Sequence, residues 1–193
     1  HRGCSFQKDL SGIDAAVKMM EKYSDVEVHV SAVLTKDNQE DFIHLVEYMT
    51  ERGIKIHISP FHNYLQLKEE LSISERDKIE ALVDRLLKMK SEGYLIASSS
   101  GFIKHLTAFF CEGKNVPDDY LCKIGYTNLF IDAHMNVRPC WSEAIGPVGV
   151  LGQNSLIDIW NSDQMQKCRE KMLHCACEGC WYISDSLPGW GGC

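Results

Sequence analysis

Along the first sixty residues the hydrophobic positions switch period three times. In "GIDAAVKMMEKY", Ile13, Ala16, Val17 and Met20 recur at i, i+3, i+4 and i+7, the spacing of one helix face. "DVEVHVSAVLT" then alternates, with Val26, Val28, Val30 and Ala32 set against Glu27, His29 and Ser31. A second helix is predicted in "DNQEDFIHLVEYMTERG", where Phe42, Leu45, Val46 and Met49 form the stripe, Asn38 caps the start and Gly53 marks the stop. "IKIHISPF" alternates again, Ile54, Ile56 and Ile58 against Lys55, His57 and Ser59. Helix and strand in repeated alternation predict parallel strands joined by right-handed crossovers, hence an open α/β sheet or a (β/α) barrel. A parallel strand buried on both faces reads as nearly continuous aliphatic residues, whereas these two are apolar on one side only. The polar side, with His29, Ser31, His57 and Ser59, therefore faces either water or a lumen that holds a ligand. In the second reading those four residues are substrate-facing.

Further on, "SERDKIEALVDRLLKMKSEG" predicts a long helix capped by Ser74, with Ile79, Leu82, Val83 and Leu86 inward and Gly93 as its stop. "GFIKHLTAFFCEG" predicts a shorter one, and "KNVPDDYL" reads as a linker that divides the chain into residues 1–113 and 114–193. In the second part, "TNLFIDA" and "NVRPC" predict a β-hairpin with Asn136 as the residue taking positive φ in the turn. "SLIDIWNSDQMQKCREKML" predicts one helix with Ile159, Met165, Cys168 and Met172 on its packed side. The second part is thus a small α+β unit.

Composition narrows the partners. The 193 residues are 45% hydrophobic and 24% charged, enough to bury a substantial core. Twenty basic against 27 acidic residues give a net charge of −7, which disfavours nucleic acid or an anionic membrane as the main partner. No apolar run approaches the roughly 20 residues needed to span a bilayer, and no signal segment stands at the start, so a soluble, cytoplasmic protein is expected. The sequence opens at His1 without an initiator Met, and we expect it to be a piece of something longer.

Nine cysteines, an odd number in a chain this rich in helical patterns, argue against a secreted disulfide framework. Cys4, Cys111 and Cys168 stand apart and read as small buried hydrophobes. Five others gather: Cys122 and Cys140 at the two ends of the hairpin, then Cys175, Cys177 and Cys180 in "HCACEGCWY", with Cys193 further on. A CxxC turn over Cys177 and Cys180, loosened by Gly179, lets two sulfurs face one centre. Four thiolates, Cys122, Cys140, Cys177 and Cys180, serve either tetrahedral zinc or an iron–sulfur cluster, and spacing does not separate the two. Cys175 is a bystander or an alternative ligand. Trp141, Trp181 and Trp190 lie near these cysteines and either shield the centre or simply pack.

These residues carry a resemblance. Cys122 with Gly125, "NLFID" with Asn136, Val137, Pro139 and Cys140, then Leu151 and Gly152, "IDIWNS", and Cys177 with Cys180 resemble the auxiliary-cluster region, SPASM or the shorter twitch domain, of radical S-adenosylmethionine enzymes. "VHVSAVLTKDNQEDFIHLVEYMTERGI" resembles the later βα units of their partial barrel, and "LSISERDKIEALVDRLLKMKSEG" the helix linking barrel to auxiliary domain. The resemblance implies a partial (β/α) barrel followed by a SPASM/twitch unit with one auxiliary [4Fe–4S] cluster on Cys122, Cys140, Cys177 and Cys180. It also implies a parent enzyme with S-adenosylmethionine and a second [4Fe–4S] cluster, which makes a 5′-deoxyadenosyl radical and abstracts hydrogen from a peptide or protein. A flavodoxin or ferredoxin would be the reductant. The CxxxCxxC loop of that family is absent from these residues, so the chain alone is expected to be inactive; only Cys193 follows Cys180, which favours one auxiliary cluster over two. A zinc-stabilised structural or binding module without radical chemistry is the alternative.

Overall fold

In the computed structural model, residues 6–23, 25–61, 74–114, 121–140 and 145–173 are described, and they divide into two units, 1–112 and 113–193. In the first unit, β1 (His29–Leu34) runs parallel to β2 (Lys55–Pro60), with Val30 opposite Ile56 and Ala32 opposite Ile58. Between them lies α2 (Gln39–Glu51), preceded by a 3-10 turn over Lys36–Asn38. Asn38 stands at the N-cap position of α2 without bonding its amides. Its side chain instead accepts from Thr35 N (2.8 Å) and donates to Val33 O (2.8 Å), tying the end of β1 to the entry of the helix. Gly53 takes φ +70°, and the chain turns into β2 there, a conformation that costs glycine no steric strain.

A third parallel segment, not evident from the hydrophobic pattern, lies on the other side of β2. Ile56 N donates to Leu95 O (2.9 Å) and Ala97 N to Ile56 O (2.8 Å), a bridge between Ile56 and Ile96. Ser98, buried, accepts Ile58 N through its hydroxyl (2.9 Å). The helix α3 (Arg76–Ser91) thus returns the chain to the sheet, where the resemblance had implied a helix leading out to the second part. Its N-cap is Glu75 rather than Ser74, and Gly93 at φ +95° closes it as expected. No barrel is formed among the described residues; the observed architecture is mixed α/β with a two-stranded parallel sheet.

The core of this unit lies on the apolar face of the sheet. Ile54, Ile56 and Ile58 of the β2 region are buried together with Phe42, Val46 and Met49 of α2 and Ile79, Leu82 and Leu86 of α3. Phe102, Ile103 and Leu106 of α4 (Ser100–Glu112) join them, and α3 and α4 are tied at the surface by Arg76, which reaches both Glu80 (3.2 Å) and Glu112 (2.9 Å). The helix α1 (Phe6–Lys22) precedes β1.

The second unit is built from short pieces. β3 (Phe130–Ile131) and β4 (Asn136–Arg138) form the predicted antiparallel hairpin, and β5 (Gly149–Val150) adds a third strand that two residues could not announce in sequence. The single helix expected after it is two: α5 (Leu156–Trp160) and α6 (Asp163–Leu173). Asn161 and Ser162 divide them, each with a polar side chain that competes for backbone partners. Asn161 Nδ2 donates to Ile157 O (2.9 Å), while Ser162 Oγ accepts from Met165 N (3.1 Å) and so opens α6.

Candidate metal centre

The hairpin turn sets where the two chain ends go. Asp132 organises it: Oδ1 accepts the amides of His134 (2.8 Å) and Asn136 (3.0 Å), and Oδ2 accepts Asn136 Nδ2 (2.9 Å). These donors hold the Asp132 carboxyl below its ordinary range, the Asn136 side chain most of all. The residue at positive φ is Met135 (φ 65°), not Asn136. Asn136 is engaged through both its amide and its side chain and continues directly into β4, so the left-handed position falls on the residue before it. Methionine is strained there, and the Asp132 bonds over-determine the turn.

Past β4 the chain reaches Cys140; ahead of β3 it comes from Cys122 through a 3-10 turn over Ile124–Tyr126. Both thiols arrive at one apolar nest. Cys122 (6% exposed), Ile124, Ile145 and Met172 form its buried core, and Cys140 packs against it half-buried. The spacing had predicted this convergence of the hairpin ends. Cys168 packs on the same nest, with its Sγ 4.0 Å from Met172 Sδ. The sequence reading had set Cys168 apart from the others; its spacing of four from Met172 on a helix was the available signal. Burial pushes the Cys168 thiol up, opposed by Lys171 and reinforced by Cys140. Cys111 lies half-buried in α4 of the first unit, away from this nest in the chain.

α6 ends at Leu173, immediately ahead of the "HCACEGC" run. Cys175, Cys177 and Cys180 lie outside the described residues, as do Cys4, Cys193, Trp141, Trp181 and Trp190. Among the described residues no group of three or more His, Cys, Asp or Glu side chains is placed to hold a metal ion. The donor set that is described is nonetheless suited to soft metal chemistry, being two thiols on an apolar surface lined by further sulfur.

A buried arginine, not singled out from the sequence, braces the segment after Cys122. Arg169 (8% exposed) donates from Nε to Gly125 O (2.9 Å), and its guanidinium lies 4.3 Å from the Trp160 ring centroid and 5.3 Å from that of Tyr126. A Cβ on Gly125 would come within 3.3 Å of Met172 Sδ and 3.4 Å of Arg169 Cγ, so these two side chains pack closely over the glycine.

On the polar face of the parallel pair, the four predicted residues meet in two contacts. His29 Nδ1 and His57 Nε2 are 2.9 Å apart with near-parallel rings, and the Ser31 and Ser59 hydroxyls are 2.9 Å apart. His29 Nε2 also faces Glu27 (3.2 Å), whose other oxygen pairs with Lys55. That geometry fits a chain in which His29 donates to the carboxylate and accepts from His57. Lys55 first, then His29, lowers the Glu27 pKa. His29 and Ser31 are exposed, His57 and Ser59 half-buried.

Residues 122–181 match the family model of SPASM, an iron–sulfur cluster-binding domain. The match begins at Cys122 and takes in Cys140, Cys175, Cys177 and Cys180. No curated protein and no solved structure gave a match to the chain. No helix among the described residues is long and apolar enough to cross a membrane.

Proposed function

We propose, from the iron–sulfur cluster-binding domain over residues 122–181, that Cys122, Cys140, Cys177 and Cys180 together hold one [4Fe–4S] cluster. The observation that carries this reading is the arrival of Cys122 and Cys140, from opposite ends of the hairpin, on one apolar nest with Cys168 and Met172 of α6, the helix that precedes Cys177 and Cys180 in the chain. Thiolates suit iron, and an apolar wall limits water access to the sulfurs, one of the levers on a cluster's potential. When bound, the cluster supplies one-electron chemistry or a docking point for substrate. The chain's own part is to bring two ligands into register through the Asp132 turn and to brace the Cys122 segment through Arg169.

The parent activity in this proposal is that of a radical S-adenosylmethionine enzyme, with S-adenosylmethionine and a second [4Fe–4S] cluster bound outside these residues. Its substrate would be a peptide or protein, and its reductant a flavodoxin or ferredoxin. The parallel β1, β2 and Leu95–Ala97 segments with their intervening helices support a place among the βα units of a partial barrel. In that arrangement the polar row of His29, Ser31, His57 and Ser59 is the face turned to substrate.

Anaerobic reconstitution with iron and sulfide tests the cluster. Iron and sulfide should bind in the ratio of a [4Fe–4S] centre, and Cys122→Ala, Cys140→Ala, Cys177→Ala and Cys180→Ala should each lose it while Cys111→Ala does not. If Cys175→Ala abolishes iron binding and Cys177→Ala leaves it intact, the ligand set is wrong. A colourless anaerobic protein containing zinc would replace this reading with the zinc-stabilised module.

A further inference from the structure

Arg169 is a cation buried on α6 whose polar partner among the described residues is a neutral carbonyl, Gly125 O, and whose other neighbours there include two aromatic faces. Aromatic faces and one carbonyl do not neutralise it, and a buried charge is costly unless an opposite charge lies nearby. The bonded carbonyl belongs to the 3-10 turn over Ile124–Tyr126 that follows Cys122, Cys168 precedes Arg169 in the chain, and Met172 one turn later lines the thiol nest. Arg169 Cγ and Met172 Sδ flank the same Gly125, so the arginine stem packs beside a residue that lines the thiol nest.

We infer that Arg169 is the counter-cation of the bound cluster and raises its reduction potential, an inference that rests on the cluster assignment above. A cluster on four thiolates is anionic and gains one more negative charge on reduction, so a fixed positive charge beside it stabilises the reduced form more than the oxidised one. Arginine suits the position because it remains charged when buried and its flat guanidinium stacks on Trp160 and Tyr126. Its role is positioning and electrostatic: it touches the Cys122 turn, and no direct ligation is involved.

The test is a redox titration, followed by electron paramagnetic resonance, of the anaerobically reconstituted full chain and its Arg169→Met and Arg169→Lys variants, with iron content measured for each. Methionine keeps the apolar stem without the charge; lysine keeps the charge without the fork. The inference expects Arg169→Met to hold iron at a lower potential, with Arg169→Lys close to the parent chain. It is equally supported if Arg169→Met fails to retain iron while Arg169→Lys retains it. An unshifted potential in Arg169→Met, or matching behaviour of the two variants, would overturn it and leave Arg169 a packing clamp. Failure of the unaltered chain to take up a cluster would instead defeat the cluster assignment itself.

Discussion

The two units of this chain are held by different means. In the first, every described helix from α2 to α4 sets an aliphatic stripe against others, and Leu34, Phe42, Val46, Ile56, Ile79 and Leu86 are all shielded from water. In the second, strands of two and three residues, a five-residue helix and the eleven-residue α6 surround two small clusters, one built on Val137, Val148, Ile159 and Met165, the other on Cys122, Ile124, Ile145 and Met172. Helices and strands that short cannot bury enough surface to be independently stable, and sheets so small need packing partners or a cross-link. The contrast teaches that the first unit has an extended aliphatic core of its own, whereas the second, with its small clusters, has more to gain from the cluster proposed for it.

The sharpest way to break that contrast is to remove the metal. Chelation of the reconstituted protein should expose the amides of residues 121–173 to hydrogen exchange by orders of magnitude while those of β2, α2 and α3 keep their protection. Equal loosening of both units would abolish the distinction. Next in size, Ile56→Ala removes a fully buried side chain from the centre of the first sheet and should cost about 2–5 kcal/mol there, with iron uptake by the second unit unchanged. Denaturant melts read beside an iron assay separate the two effects. Within the second unit, Gly149→Ala places a Cβ 2.8 Å from Ile159 Cγ1 and 3.1 Å from its Cγ2, so the branched side chain cannot swing clear. We expect a loss of roughly 1–3 kcal/mol in the stability of the cluster-loaded protein, and a loss in the double variant with Ile159→Ala that is smaller than the sum of the two single losses. Smallest and opposite in sign, Met135→Gly should stabilise the hairpin by about 1 kcal/mol, because methionine is 45% exposed there and little packing is lost with its left-handed strain. A fall in melting temperature would show that the Asp132 bonds, rather than φ, dominate the turn.

Much of the first unit was legible because its elements are long enough to show a period. The stripe of α3 and the alternation around Ile54, Ile56 and Ile58 reappear as buried rows, and so does that of α2 except that Ile43 is buried where Leu45 was expected and Leu45 is half-buried. Leu95–Ala97 escaped because three residues between Gly93 and a serine run carry no period, and their pairing is decided by β2 forty residues upstream. The break between α5 and α6 escaped because the apolar spacing continues across it while Asn161 and Ser162 divert the backbone. At the centre itself, cysteine spacing showed the meeting of Cys122 and Cys140 but not the company of Cys168, which depends on how α6 packs. Arg169 was invisible for a related reason: a single basic residue on a polar helix reads as solvated until tertiary packing places two rings around it.

The pairing register also has a kinetic consequence. β1 meets β2 with His29 opposite Lys55, and Ile56 meets Ile96, so the parallel sheet closes only after long stretches of chain have been drawn together. Ile131 meets Val137 across a turn of a few residues. Loop-closure entropy slows the first kind of contact and barely hinders the second, and hairpins form in about 1–10 μs. The segment that carries Cys122 and Cys140 is thus expected to form while the larger unit is still searching for its sheet. Pulse-labelling exchange during refolding should show amides of β3 and β4 protected before those of β1 if metal is supplied at the start.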